Sequence, residues 1–184
     1  TQHPIPPGRS SAESAVRAEG AALVAQGGIV HPFPIQSLSI PIALAGTDMI
    51  GQARTGTGKT LAFGVSLLQR IAVPTDERYA ELKAPGKPQA LVMTPTRELA
   101  LQITSDLEDA SRVRAARVLT VYGGVGYEPQ LEALASGVDV VVGTPGRLLD
   151  LAKRRDLDLS HVQILVLDEA DEMLDLGFLP DVEK

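Results

Sequence analysis

"QILVLDEADEML", residues 163–174, decides the fold. Four apolar residues, Ile164 to Leu167, run without polar alternation and end abruptly in Asp168, Glu169 and Asp171. Such a run reads as a strand buried on both faces, and strands of that kind belong to parallel sheets covered by helices. The acids at its end need an explanation. Two carboxylates about 4 Å apart repel by roughly 4 kcal/mol at an effective dielectric near 20. A bound cation removes that repulsion. A competing reading is that the acids only cap the next helix, where negative charge is favoured anyway.

Working outward, the same alternation of short apolar runs and amphipathic stretches fills the chain from about residue 47. Strands are expected at 48–52, 90–94, 117–122, 138–143 and 162–167. Helices are expected at 59–71, with Leu61, Val65 and Leu68 on one face, and at 97–110, facing inward through Leu99, Ile103 and Leu107. Two more follow at 128–136, stopping at Gly137, and at 145–155. Residues 75–89 read as a polar loop, residues 15–26 as a helix and residues 1–14 as a flexible tail. The pattern predicts an α/β domain in three layers around a mainly parallel sheet. In such sheets ligands bind beyond the carboxyl ends of the strands.

The totals agree. The chain has 184 residues, enough for one domain with a core, and is 44% hydrophobic. Aromatics are only 3%, so Leu, Val, Ile and Ala fill the core. There is no Cys, which excludes disulfides and thiolate metal sites and fits a reducing, cytoplasmic setting. No apolar run is long enough to span a membrane. No pair of histidines has metal-ligand spacing. The formal net charge of −6 disfavours nucleic-acid binding by bulk charge, yet leaves room for a local phosphate-binding surface.

"ARTGTGKT", residues 53–60, follows one expected strand and opens an expected helix. Gly56 and Gly58 let the backbone wrap closely and aim N–H groups at phosphate oxygens. Lys59 reaches the β- and γ-phosphates, and Thr60 offers a hydroxyl to Mg²⁺. The helix N-terminus adds partial positive charge. Ala53 stands where the general pattern has Gly. With a phosphate loop upstream, the cation reading of Asp168 gains over the helix cap: Mg²⁺ takes hard oxygen ligands and keeps several waters. Glu169 beside it is placed to orient or deprotonate an attacking water.

Taken together, "ARTGTGKT" (53–60), "TPTRELA" (94–100), "GG" (123–124), "TPGR" (144–147) and "DEAD" (168–171) resemble the DEAD-box RNA helicases in order and approximate spacing. "GIVHPFPIQ" (28–36) is similar to that family's adenine-reading Q motif. The resemblance covers roughly residues 28–184. It implies a RecA-like P-loop NTPase fold, ATP and Mg²⁺ as cofactors, and RNA as partner. It also implies a monomeric ATP-dependent RNA helicase whose first domain is incomplete, ending before the Ser-Ala-Thr motif, with the second RecA-like domain absent. On that ground the isolated chain is expected to have little ATPase activity.

Residue by residue, the resemblance implies that Gln36 reads the adenine edge, and that Ala53, Arg54, Thr55, Gly56, Thr57, Gly58, Lys59 and Thr60 cradle the phosphates. Thr60 and Asp168 hold Mg²⁺, Glu169 activates water with Lys59 and Asp168 completing the catalytic set, and Asp171 links outward. Thr96, Arg97, Gly124, Thr144 and Arg147 lie along the RNA backbone. Elementary chemistry suits this last set. Thr96 and Thr144 are placed to N-cap two helices that each carry an Arg in the first turn, which makes anion sites. Contacts to phosphate and sugar carry little base information. Residues 1–32 contain no Phe, Tyr or Trp to stack on adenine. Two other readings compete. One is a non-catalytic fragment that binds nucleotide or RNA or docks on a partner. The other is an unrelated phosphate-loop enzyme such as a small-molecule kinase, which "PTRELA" and "TPGR" disfavour.

Overall fold

A computed structural model describes residues 33–54, 58–112 and 114–183. The expected tail and the helix at 15–26 lie outside them, as do Thr55, Gly56 and Thr57 of the phosphate loop. The described elements are α1 (Pro34–Leu44), α2 (Lys59–Arg70), a 3₁₀ turn (Glu77–Glu81) and β1 (Ala90–Met93). There follow α3 (Arg97–Ala110), β2 (Val118–Val121), α4 (Glu128–Ser136), β3 (Val140–Gly143), α5 (Pro145–Lys153), β4 (Ile164–Leu167), α6 (Ala170–Asp175) and α7 (Leu179–Val182). The four strands form one all-parallel sheet in the order β2-β3-β1-β4.

The three layers follow from the twofold side-chain period of a strand. Ala90 and Val92 of β1, with Val140 and Val142 of β3, meet Leu67, Leu68 and Ile71 of α2 and Ala100, Ile103 and Leu107 of α3. The intervening Leu91, Met93 and Val141 point the other way, onto Leu148 and Leu151 of α5 and Met173 of α6. Both faces of the sheet are therefore core. The buried face of α3 is Ala100, Ile103, Thr104 and Leu107, with Leu99 only half-buried at its margin. Leu61 of α2 is likewise half-buried, because that helix is packed between α3 and α1 and buries Ala62, Val65, Leu67 and Leu68 instead.

One expected strand is absent: residues 48–52 form neither strand nor helix. Ile50 is 100% exposed, and the segment pairs with none of the four strands. A short apolar run becomes a strand only when a neighbour accepts its hydrogen bonds. Among the described residues, β4 is paired on one side only, and its Leu165 is 54% exposed. The loop expected at 75–89 contains the 3₁₀ turn. The helix α1 is additional, and it runs through Pro41.

Candidate functional site

The motif residues gather at the carboxyl edge of the sheet. Asp168 follows β4 directly, and its backbone N–H donates to the Met93 carbonyl at the end of β1, 2.9 Å away. Glu169 comes next in the left-handed region, at φ 50° and ψ 48°. The turn is tight enough to send the Glu169 side chain back toward α2. There Lys59 Nζ donates to Glu169 Oε1 at 2.8 Å, across 110 positions of sequence. The opening puzzle thus has a local answer: the acids at the strand end face the ammonium that begins α2.

Burial is the main cause that pushes the Asp168 carboxyl above its ordinary value, and repulsion from Glu169 adds to it, while Lys59 pulls the other way. The hydrogen bond to Glu169 raises Lys59, with desolvation opposing it and Asp168 and Asp171 contributing more distant attraction. Asp171 itself is exposed on α6.

Gly58 caps α2 from the left-handed region at φ 76°. A Cβ there would lie 2.3 Å from Gln36 Nε2, so the position is closed to any other residue on two counts. Gln36, only 2% exposed, donates from Nε2 to the Gly58 carbonyl at 3.2 Å and accepts from the Phe33 N–H at 3.0 Å. The Q-motif side chain is thus tied to the phosphate loop and to the start of its own helix. Ala53 is half-buried and Arg54 exposed, both in the irregular segment that precedes Gly58. Thr60 is the second residue of α2 and half-buried.

The second group lies beyond β1, β2 and β3. Thr96 accepts a hydrogen bond from the Leu99 N–H at 3.3 Å, the expected cap of α3. Thr144 occupies the N-cap position of α5 with extended backbone, but its side chain makes no capping bond. Pro145 and Gly146 start that helix without help from the hydroxyl. Arg97, Thr144 and Arg147 line an open groove of about 470 Å³, together with Tyr122, Gly123, Asp150 and Phe178. Thr96 and Gly124 are not among its lining residues, though each is the sequence neighbour of one that is. Gly124 has φ 80° and open space where a Cβ would point. Arg97 stacks over the Tyr122 ring at 4.7 Å, and Arg147 over Tyr127 at 4.2 Å.

The two tyrosines and Asp150 escape a reading by motif. Their signal in the sequence is faint: in a chain with three Tyr, two fall at 122 and 127, on either side of Gly123-Gly124. Met93 and Met173 are core residues, whereas Phe178 stands at the groove.

A parallel sheet with a lysine opening α2 and paired acids at a strand end defines a phosphate-loop α/β domain. Residues 33–184 match the model of the DEAD/DEAH box helicases, and the chain belongs to that family. It is 51% identical over 162 residues to the DEAD-box ATP-dependent RNA helicase CshA of Streptococcus pneumoniae, an alignment covering 88% of this chain and 29% of that protein. It is 48% identical over 155 residues to the ATP-dependent RNA helicase RhlB of Hamiltonella defensa, covering 84% of this chain and 36% of that protein. The chain therefore spans about a third of the length of these relatives. Among solved structures, a hypothetical ATP-dependent RNA helicase from Sulfolobus tokodaii superposes with a TM-score of 0.75 at 36% identity. That match covers 90% of this chain and 45% of the other.

Proposed function

We propose that this chain is the ATP-binding domain of an ATP-dependent RNA helicase, coupling ATP hydrolysis to a grip on the RNA backbone. The observation that carries it is the sharing of one sheet edge. The Lys59–Glu169 contact and the arginine-lined groove both sit at the carboxyl ends of the strands. Lys59 trades Glu169 for the β- and γ-phosphates, and the freed Glu169 turns to the attacking water. Gln36 reads the adenine edge, and residues 53–60 wrap the phosphates.

The donors suit Mg²⁺. Mg²⁺ takes hard oxygen ligands, keeps several waters and leans on phosphate oxygens, so one carboxylate and one hydroxyl suffice from the protein. The half-buried carboxyl of Asp168, held above its ordinary value, is a hard ligand whose charge a cation would stabilise. Asp168 and the Thr60 hydroxyl are the groups that would hold it. When bound, the ion neutralises charge on the phosphates. Arg97, Arg147 and Thr144 take the RNA backbone, which makes binding salt-dependent and nearly indifferent to sequence. No helix among the described residues is long and apolar enough to cross a membrane. A cytoplasmic, monomeric protein completes the proposal.

The test is ATP hydrolysis with and without single-stranded RNA, in a protein carrying this chain and its native flanks. RNA should stimulate turnover, and Glu169→Gln should abolish it. Turnover indifferent to RNA would favour a phosphate-loop enzyme of another class.

A further inference from the structure

Arg147 is held by more than its own helix. Its Nη2 donates to the Val125 carbonyl at 2.9 Å, which spans from α5 to the loop after β2. Its guanidinium lies 4.2 Å from the centre of the Tyr127 ring. Arg154, the C-cap residue of α5, lies 4.4 Å from the same ring. Between the two arginines, the Tyr127 hydroxyl donates to Asp150 Oδ2 at 2.5 Å. The carboxylate therefore fixes the tilt of the ring, and the ring presents its faces to the two cations. Arg154 is also engaged by Asp156, at 2.8 Å, which leaves Arg147 as the partner whose guanidinium lines the groove.

We infer that Tyr127 is a positioning residue for RNA, with its ring, anchored by Asp150, holding the Arg147 guanidinium ready for a backbone phosphate. The inference rests on the RNA reading given above. A free arginine on a helix surface samples many rotamers, and ordering it on binding weakens affinity. An aromatic face that orders it beforehand removes part of that loss without touching the nucleic acid. Asp150 stands one helical turn from Arg147, where the two could pair, yet its charge is engaged by the Tyr127 phenol.

The test is a double-mutant cycle read by anisotropy of a labelled single-stranded oligouridylate, titrated with the 184-residue chain at several salt concentrations. Arg147→Gln should weaken binding and flatten the slope of log affinity against log salt by about 0.7, one phosphate's share for a single strand. Tyr127→Leu should weaken binding about three- to fivefold in the parent chain and have no effect in the Arg147→Gln background. Tyr127→Phe, which keeps the ring, should retain most of the affinity. If Tyr127→Leu does not fold, Tyr127→Met carries the same cycle with similar volume and no aromatic face. An unchanged affinity in Arg147→Gln would remove the RNA reading of the groove itself. A loss in Arg147→Gln with equal Tyr127→Leu effects in both backgrounds, or none in either, would leave that reading intact and overturn the positioning role.

Discussion

Replacing Glu169 by Gln should tighten nucleotide binding rather than weaken it. Glu169 Oε1 lies 2.8 Å from the ammonium of Lys59, the group proposed to meet the phosphates. The gross attraction at that distance is about 6 kcal/mol at an effective dielectric near 20. The two side chains are 24% and 26% exposed, so water and side-chain entropy reduce the net worth to about 1 kcal/mol. Gln keeps a neutral hydrogen bond and discards most of that net attraction. Nucleotide then displaces a weaker competitor, and it also meets one negative charge fewer at the strand end. The expected gain is about two- to fivefold in affinity for a non-hydrolysable ATP analogue, measured by calorimetric titration. The gain should shrink as salt rises, because the pair is only partly shielded from solvent. Lys59→Ala should lose most of the binding under the same conditions. A Gln variant that binds more weakly than the parent chain, or as weakly as Lys59→Ala, would refute the view that Glu169 masks Lys59.

Three further perturbations probe the frame around the site. Asp139 is fully buried, and Arg117 grips both its oxygens, through Nη2 at 2.8 Å and Nε at 3.1 Å. Arg117→Met should therefore cost about 3–5 kcal/mol in urea unfolding, and Arg117→Met with Asp139→Leu should recover most of it; a single-variant loss below about 1 kcal/mol would contradict this. A Cβ at Gly143 would lie 2.5 Å from the Val121 carbonyl inside the sheet, so Gly143→Ala should lower stability by about 3 kcal/mol in thermal melting. The hydrogen bond to Asp150 raises the Tyr127 phenol above its ordinary value of 10.0. Its contribution is present in full below pH 10 and is lost as pH rises through the folded value, so a spectrophotometric titration should show Tyr127 titrating late, and Asp150→Asn should bring it back down.

The helices α3 and α4 were legible to the residue because their ends are written locally. Thr96 caps one, and Gly137 at φ 98° stops the other. The strands were legible as apolar runs, but their ends were not: 138–143 becomes Val140–Gly143, since only paired residues qualify. The segment 48–52 carried the same local signal and failed for that reason. The α1 helix was hidden by prolines that read as breakers. Pro34 instead occupies its first turn, and Pro41 is tolerated within it. Fixed spacing in the sequence singled out Lys59, Asp168 and Glu169, which the fold brings to one strand end. The Tyr127–Asp150–Arg147 arrangement was not, because a tyrosine loop and a helix twenty residues away meet only after the sheet has formed.

On the proposed reading that Gln36 meets the adenine edge, its two hydrogen bonds fix which way round its amide faces the base. Both ends of its amide are already in use, one on the Phe33 N–H and one on the Gly58 carbonyl. The carboxamide keeps a second N–H and a second oxygen lone pair, so a base can add one bond at each end without breaking either. A well-matched edge therefore meets an amide whose orientation is already fixed. A base with donor and acceptor in the reversed order leaves buried polar atoms facing like against like, at about 1–3 kcal/mol for each unmatched group. Discrimination at such a position comes from an amide that cannot flip to suit the wrong base.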